Sequence, residues 1–303
     1  GDRGSGGGLK DRRQVWKLAP VISFDEAIGK VAEVARPLGT ERVPIAEAHG
    51  RVVAEPVVAQ VSAPPSDVSA MDGYAVRDDD LATLPARLPV MGESFAGQGF
   101  EGELPPGTCV RIFTGAPVPA GADRVVIQEV VTRESDVAVF AEHPGSARHI
   151  RRAGSDFREG DTLLEVGTLL RPGALVAAAG ADLARVTVWR RPRLLVLGTG
   201  DELSEPGTAR LQQGRIPESV SYGVAALAHD AGAEVVGTRR LPDDLAIMRG
   251  AAADSLQQAD MVVVTGGASV GERDFAKTMW DGTGLELVFS KVAIEPGKPV
   301  CLG

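Results

Sequence analysis

Residues 193–203 read RLLVLGTGDEL, an apolar run that ends in a glycine-rich turn and two acids, Asp201 and Glu202. A short apolar run bounded by a turn predicts a buried strand. The alternation continues downstream. SVSYGVAALAHDAG (219–232) predicts a helix ending at Gly232, AEVVGTRRL (233–241) a strand, DDLAIMRGAAADSLQQA (243–259) a second helix and DMVVVTGG (260–267) a third strand. Strand and helix alternating at this spacing predict right-handed βαβ units and a parallel, doubly wound sheet.

Open α/β sheets bind ligands at the carboxyl ends of their strands, where helix N-termini also point. All three predicted strand ends carry acids: Asp201 and Glu202, Asp243 and Asp244, Glu272 and Asp274. Such acids serve as helix caps and first-turn residues. Gathered on one rim, however, carboxylates repel unless a cation joins them, which makes a divalent ion such as Mg2+, with the phosphate it brings, a natural guest. The turns GTG (198–200) and TGGASVG (265–271) favour the second reading, since glycines let backbone amides approach an anion closely. Ser269 reads as a turn residue or a phosphate donor, and Lys298 in EPGKPV adds positive charge.

Sharper motifs fail. GASVG (267–271) matches the nucleophile elbow of a hydrolase, but no histidine follows His229 to complete a triad. GTGDEL has only the first two glycines of a dinucleotide fingerprint, and no GK[ST] phosphate loop exists. The four histidines lack metal-ligand spacing, and Cys109 and Cys301 lie far apart in no CxxC pattern. This spacing argues against both a disulfide framework and a structural zinc site. At net charge -9 the chain is poorly suited to nucleic acid. No run approaches the roughly 18 apolar residues of a membrane span, so a cytoplasmic address is expected.

Upstream, Ser23 and Glu26 have capping-box spacing, and Phe24, Ala27, Ile28, Val31, Val34 and Ala35 recur at helical intervals until Pro37. Between about 58 and 150, short β-type runs alternate with Gly or Pro turns, predicting a small barrel or sandwich in which Met71 and Tyr74 are candidate core residues. The expected organisation is a multidomain α/β and β protein. A disordered leader occupies 1–15, a discontinuous linker α+β domain 16–57 and 151–190, a β-barrel-like domain 58–150, and a parallel α/β domain 191–303.

Taken in order, SAMDGYAV (69–76), RIFTGAPVPAGADRVVIQE (111–129), HIRRAGSD (149–156), LGTGDEL (197–203), TGGASVGERDF (265–275) and EPGKP (295–299) resemble the molybdopterin molybdenumtransferase family, which includes the gephyrin E domain. The resemblance implies insertion of molybdate into adenylated molybdopterin, with Mg2+ and release of AMP, as the last step of molybdenum cofactor synthesis. It implies that Asp72, Thr114, Asp156, Glu202, Asp243 and Asp274 line the site, with Glu202, Asp243 and Asp274 toward the metal. Gly266, Gly267, Ser269 and Gly271 would form the phosphate loop, with Lys291 and Lys298 at its basic positions. A homodimer is implied, and an upstream molybdopterin adenylyltransferase is an admissible partner. Two departures stand out: Glu295 before PGKP, and an end at VCLG where relatives continue into a further loop and a small β domain, which predicts a C-terminal truncation. A gephyrin-like interaction scaffold and a simple nucleotide or pterin binder are the competing readings.

Overall fold

The computed structural model describes residues 20–266 and 275–303. The chain divides into one unit of residues 42–188 and another of residues 189–303 together with the segment up to residue 41. The fold is mixed α/β.

In the first unit, six strands form one sheet: β1 (Gly73–Val76), β2 (Ala86–Ser94), β3 (Cys109–Ile112), β4 (Arg124–Ile127), β5 (Val131–Glu134) and β6 (Val137–Phe140), in the order β4-β1-β3-β2-β6-β5. All neighbours are antiparallel except β2 and β3. Period-two alternation sends Tyr74, Val76, Val126 and Phe140 to one core, and Ala75, Val110, Ile112 and Val125 to another. Both sheet faces are therefore covered, and β1 is buried along its whole length. Of the two candidate core residues beside Asp72, Tyr74 is buried and Met71 is exposed. Cys109 lies in the first of these cores, where burial pushes its thiol up to about 12, so it is an inert packing residue. A further core of the same unit joins Val53, Val57, Leu170 and Val188 to the helix Pro172–Gly180, which begins on proline as a helix N-terminus allows.

The second unit is built on three parallel strands, β7 (Arg193–Thr199), β8 (Glu234–Leu241) and β9 (Met261–Thr265), in the order β8-β7-β9. Leu194 and Val196 pack with Val224 and Ala228 of the helix Val220–Asp230. Leu195 and Leu197, on the opposite face, pack with Met248, Ala251 and Ala252 of the helix Leu245–Gln258. The central strand thus reads as an unbroken apolar run because both its faces are covered. Asp244 caps the second helix, its Oδ1 accepting from the amides of Ala246 (2.9 Å) and Ile247 (3.0 Å).

Ser23 caps the helix Phe24–Val34, accepting from the Glu26 amide at 3.1 Å. Its apolar stripe is not the core contact the periodicity suggests: Ala27 alone is buried, while Phe24 and Ile28 are 56% and 53% exposed. Ile22 and Ala27 pack with Phe289 and Val292, so this segment is held against the α/β unit. Among the described residues no helix is long and apolar enough to cross a membrane.

Asp260 ties the start of β9 to the start of β7, accepting from the Arg193 amide (2.9 Å) and pairing with its guanidinium (3.1 Å). The guanidinium first, then the amide, holds the Asp260 carboxyl at about 2, below its unfolded value of 3.8. A depressed carboxyl contributes stability that is complete above the unfolded value and disappears as pH falls through the folded one. Asp260→Asn is accordingly expected to lower the thermal midpoint at neutral pH and to converge on the parent as pH falls through about 2. An equal deficit at both pH values would show that the ion pair does not stabilise the fold.

Candidate functional site

At the carboxyl edge of the parallel sheet, Thr199 donates through Oγ1 to the Thr265 carbonyl at 3.2 Å, joining the ends of β7 and β9. Gly266 follows at φ +84°, and a Cβ there would stand 2.3 Å from the Thr199 carbonyl oxygen. Only glycine satisfies both the left-handed backbone and that approach. This is also where strand order reverses, the crevice in which open α/β sheets bind ligands.

The acids of this edge come from adjacent turns. Glu202 folds back over Gly200, where an added Cβ would meet its Oε2 at 2.7 Å. Asp201 accepts from the Asp243 amide at 3.1 Å, which fastens the turn after β8 to the turn after β7. Glu202 is exposed and Asp243 half-buried, so both carboxylates are open to a ligand. Among the described residues no three acids or histidines form a metal cluster. Asp274, the third predicted metal ligand, lies outside the described residues, as do Gly267, Ser269 and Gly271. The oxygen-only set of Glu202, Asp243 and Asp274 is chemically suited to a hard cation such as Mg2+.

Lys291 and Lys298 flank a short loop, closed by the Val292 amide donating to the Lys298 carbonyl at 3.0 Å. The Ile22 amide donates to the Lys291 carbonyl at 3.1 Å, so the N-terminal segment braces the same loop. Glu295 in this loop is exposed and precedes a cis proline, Pro296.

Of the predicted residues in the other unit, Asp72 and Thr114 come together. Asp72 Oδ1 accepts from the Thr114 amide at 2.8 Å and from its hydroxyl at 2.7 Å. These two donors, aided by the Arg111 charge, hold the Asp72 carboxyl below the usual carboxylate range. Gly73 is indispensable beside it, since a Cβ there would stand 2.0 Å from the Val126 carbonyl oxygen. Asp156 does not join this pair in any hydrogen bond; it is exposed and pairs with Arg151 at 2.7 Å.

Comparison with known proteins decides what these constellations belong to. Residues 22–181 match the MoeA N-terminal region (domain I and II), and residues 195–303 match a probable molybdopterin binding domain. A molybdopterin molybdenumtransferase of Haemophilus influenzae is 40% identical over 285 residues, covering 93% of this chain and 70% of that protein. The chain belongs to the molybdopterin molybdenumtransferase family. Molybdopterin molybdenumtransferase 2 of Mycobacterium tuberculosis is also 40% identical, over 90% of this chain and 69% of its own length. The crystal structure of the molybdopterin biosynthesis moeA protein from Pyrococcus horikoshii OT3 superposes with a TM-score of 0.79 at 30% identity, covering 94% of this chain and 72% of that one. The family is one of transferases, as its members' names state.

Two residues escape the sequence reading and a third is only partly read. Asp201 was noted as a rim acid, yet its role is to fasten the neighbouring turn. Glu218 is a buried carboxylate that accepts from the Ser221 amide at 2.9 Å and from its hydroxyl. A carboxylate immediately before a predicted helix, where it can accept from the helix's free first-turn amides, was the available signal. Arg111 was visible as a lone charge in an apolar strand, CVRIF.

Thr114→Val removes one of the two donors to Asp72 and keeps the amide. The Asp72 carboxyl is expected to titrate at higher pH in the variant, closer to an ordinary aspartate, when followed by carboxyl carbon NMR. An unmoved titration would mean the hydroxyl does not hold the carboxylate.

Proposed function

We propose that this chain inserts molybdate into adenylated molybdopterin with Mg2+-dependent release of AMP. The observation that carries the reading is that the turns bearing Glu202 and Asp243, fastened together through Asp201, and Gly266 at the end of β9 all lie at the carboxyl edge of the parallel sheet within the segment that matches a molybdopterin binding domain. The ligand is a phosphorylated anion that receives a metal oxyanion, and it calls for cation sites beside anion sites. Glu202, Asp243 and Asp274 would hold Mg2+, which when bound offsets the phosphate charge and polarises its oxygens. Backbone donors beginning at Gly266 meet the phosphate, and Lys291 and Lys298 contribute positive charge.

Asp72 and Thr114 enter as a fixed carboxylate and the hydroxyl that orients it. Because the Asp72 carboxyl is held low, it is ionised throughout the neutral range and acts as an acceptor or ion ligand, not as a proton donor. Asp156, paired with Arg151, shapes the same reaction from a charge-balanced position. The reading includes a homodimer. Its support in this chain is the apolar face of the helix Phe24–Val34, with Phe24, Ile28, Val31 and Val34 all exposed, a surface of the kind that marks an interaction site.

The direct test is AMP release from adenylated molybdopterin, with Mg2+, in the presence and absence of molybdate. Release is expected to require both ions, and Asp274→Ala and Asp243→Ala are each expected to lower it by about 100-fold or more, the scale on which loss of a charge-stabilising group acts. Molybdate-independent release would support a nucleotide-binding reading. No release with both ions present would sink the enzyme assignment.

A further inference from the structure

Arg111 is the one charged residue of β3, and it stands opposite Tyr74 across the ladder to β1. Its guanidinium carbon lies 5.1 Å from the Tyr74 ring centroid and 4.7 Å from that of Phe113. Phe113 is itself stacked on Phe95, with centroids 4.6 Å apart and planes 9° from parallel. Tyr74 meets Phe140 edge-on at 6.2 Å. The cation is thus clamped inside an aromatic column, a setting that suits the flat, weakly hydrated guanidinium and not a lysine ammonium.

From that position the two arms of the fork reach different segments. Nη1 donates to the Gly73 carbonyl at 2.9 Å, and Nη2 donates to Gln128 Oε1 at 2.5 Å. The Gln128 backbone N–H in turn donates to the Asp72 carbonyl at 3.0 Å. Asp72 is therefore gripped on three sides: by Thr114 at its carboxylate, by Gln128 at its own carbonyl, and by Arg111 at the next carbonyl along. Arg111 links the second grip to the third, and Thr114 follows it by only three residues on the same segment.

We propose that Arg111 is a positioning residue of the reaction, one that fixes the direction of the Asp72 carboxylate by bridging Gly73 and Gln128 from within the Tyr74–Phe113 clamp. This rests on the reading of Asp72 as a site residue. The Arg111 charge also acts on Asp72 directly, adding to the effect of the Thr114 donors. A group that acts by aiming another is expected to change turnover more than substrate affinity, and to matter only while the group it aims is present.

The experiment is a double-mutant cycle on the full chain, using single-turnover AMP release to follow slow variants. Arg111→Gln and Arg111→Lys are each measured in the parent and in the Asp72→Asn background, with thermal melting as the check on folding. Lysine keeps the charge but loses the fork and the flat stack, so it tests the clamp if glutamine fails to fold. Both variants are expected to lower kcat by about tenfold or more with KM moving less than about threefold, and to have almost no further effect once Asp72 is asparagine. The same fold-loss in both backgrounds, or a loss confined to KM, would make Arg111 a general structural residue and overturn the proposal. Harmless Arg111 variants beside a damaging Asp72→Asn overturn this proposal alone. If Asp72→Asn itself releases AMP at the parental rate, the reading of Asp72 falls and the positioning role falls with it.

Discussion

Parallel pairing on both sides of β7 is the constraint from which the α/β unit follows. With β8 and β9 running in the same direction as β7, every strand ends at the same edge, and the turns carrying Glu202, Asp243 and Gly266 emerge together. Parallel neighbours cannot be joined by tight turns, so the helices Val220–Asp230 and Leu245–Gln258 must cross back over the sheet. They cover opposite faces and bury the alternating leucines and valines of β7 between them. The opposite edge is secured by Asp260 and Arg193, leaving the carboxyl edge free of such structural ion pairs between β7 and β9 among the described residues. Their ends are joined instead by the Thr199–Thr265 bond and by a close approach that only Gly266 permits.

The two units handle their acids in different ways. Asp72 Oδ1 accepts two hydrogen bonds from Thr114, so its carboxylate is held in one direction by this chain's own donors. Preorganisation of that kind removes the need to reorient a charged group during reaction. Glu202 and Asp243 are left open to solvent, and the network around them fixes backbone turns, not carboxylate oxygens. Open carboxylates with fixed backbones are what an exchangeable cation requires, because its ligands must be in place while their lone pairs remain available.

How far the sequence disclosed this depends on whether a feature is local. The βαβ segment was legible because strands covered on both faces appear as unbroken apolar runs such as LLVL (194–197), and because Asp244 stands where a helix cap belongs. The order β4-β1-β3-β2-β6-β5 was not, since the pairing of Val76 with Arg124 depends on backbone groups nearly fifty residues apart. The helix at 24–34 shows the opposite failure: its period is correct, yet the contact with Phe289 and Val292 is narrow enough to bury only Ala27. Periodicity reports which face is apolar and not what covers it. Arg111 was visible but its setting was not, for a related reason: a lone charge in a strand acquires meaning only when Tyr74 and Phe113 close on it.

Net charge poses the remaining problem. A chain at -9 repels an anionic substrate at long range, so its overall field does not assist capture. At physiological ionic strength that field is screened within about 8 Å. On the proposed reading, binding is then governed by groups within contact distance, where a backbone donor at Gly266, a bound cation and two lysines outweigh distant carboxylates. On the proposed reading the acidic rim is therefore not an obstacle to a phosphorylated ligand. It is what retains the divalent ion through which carboxylate and phosphate can share one small space without repelling each other.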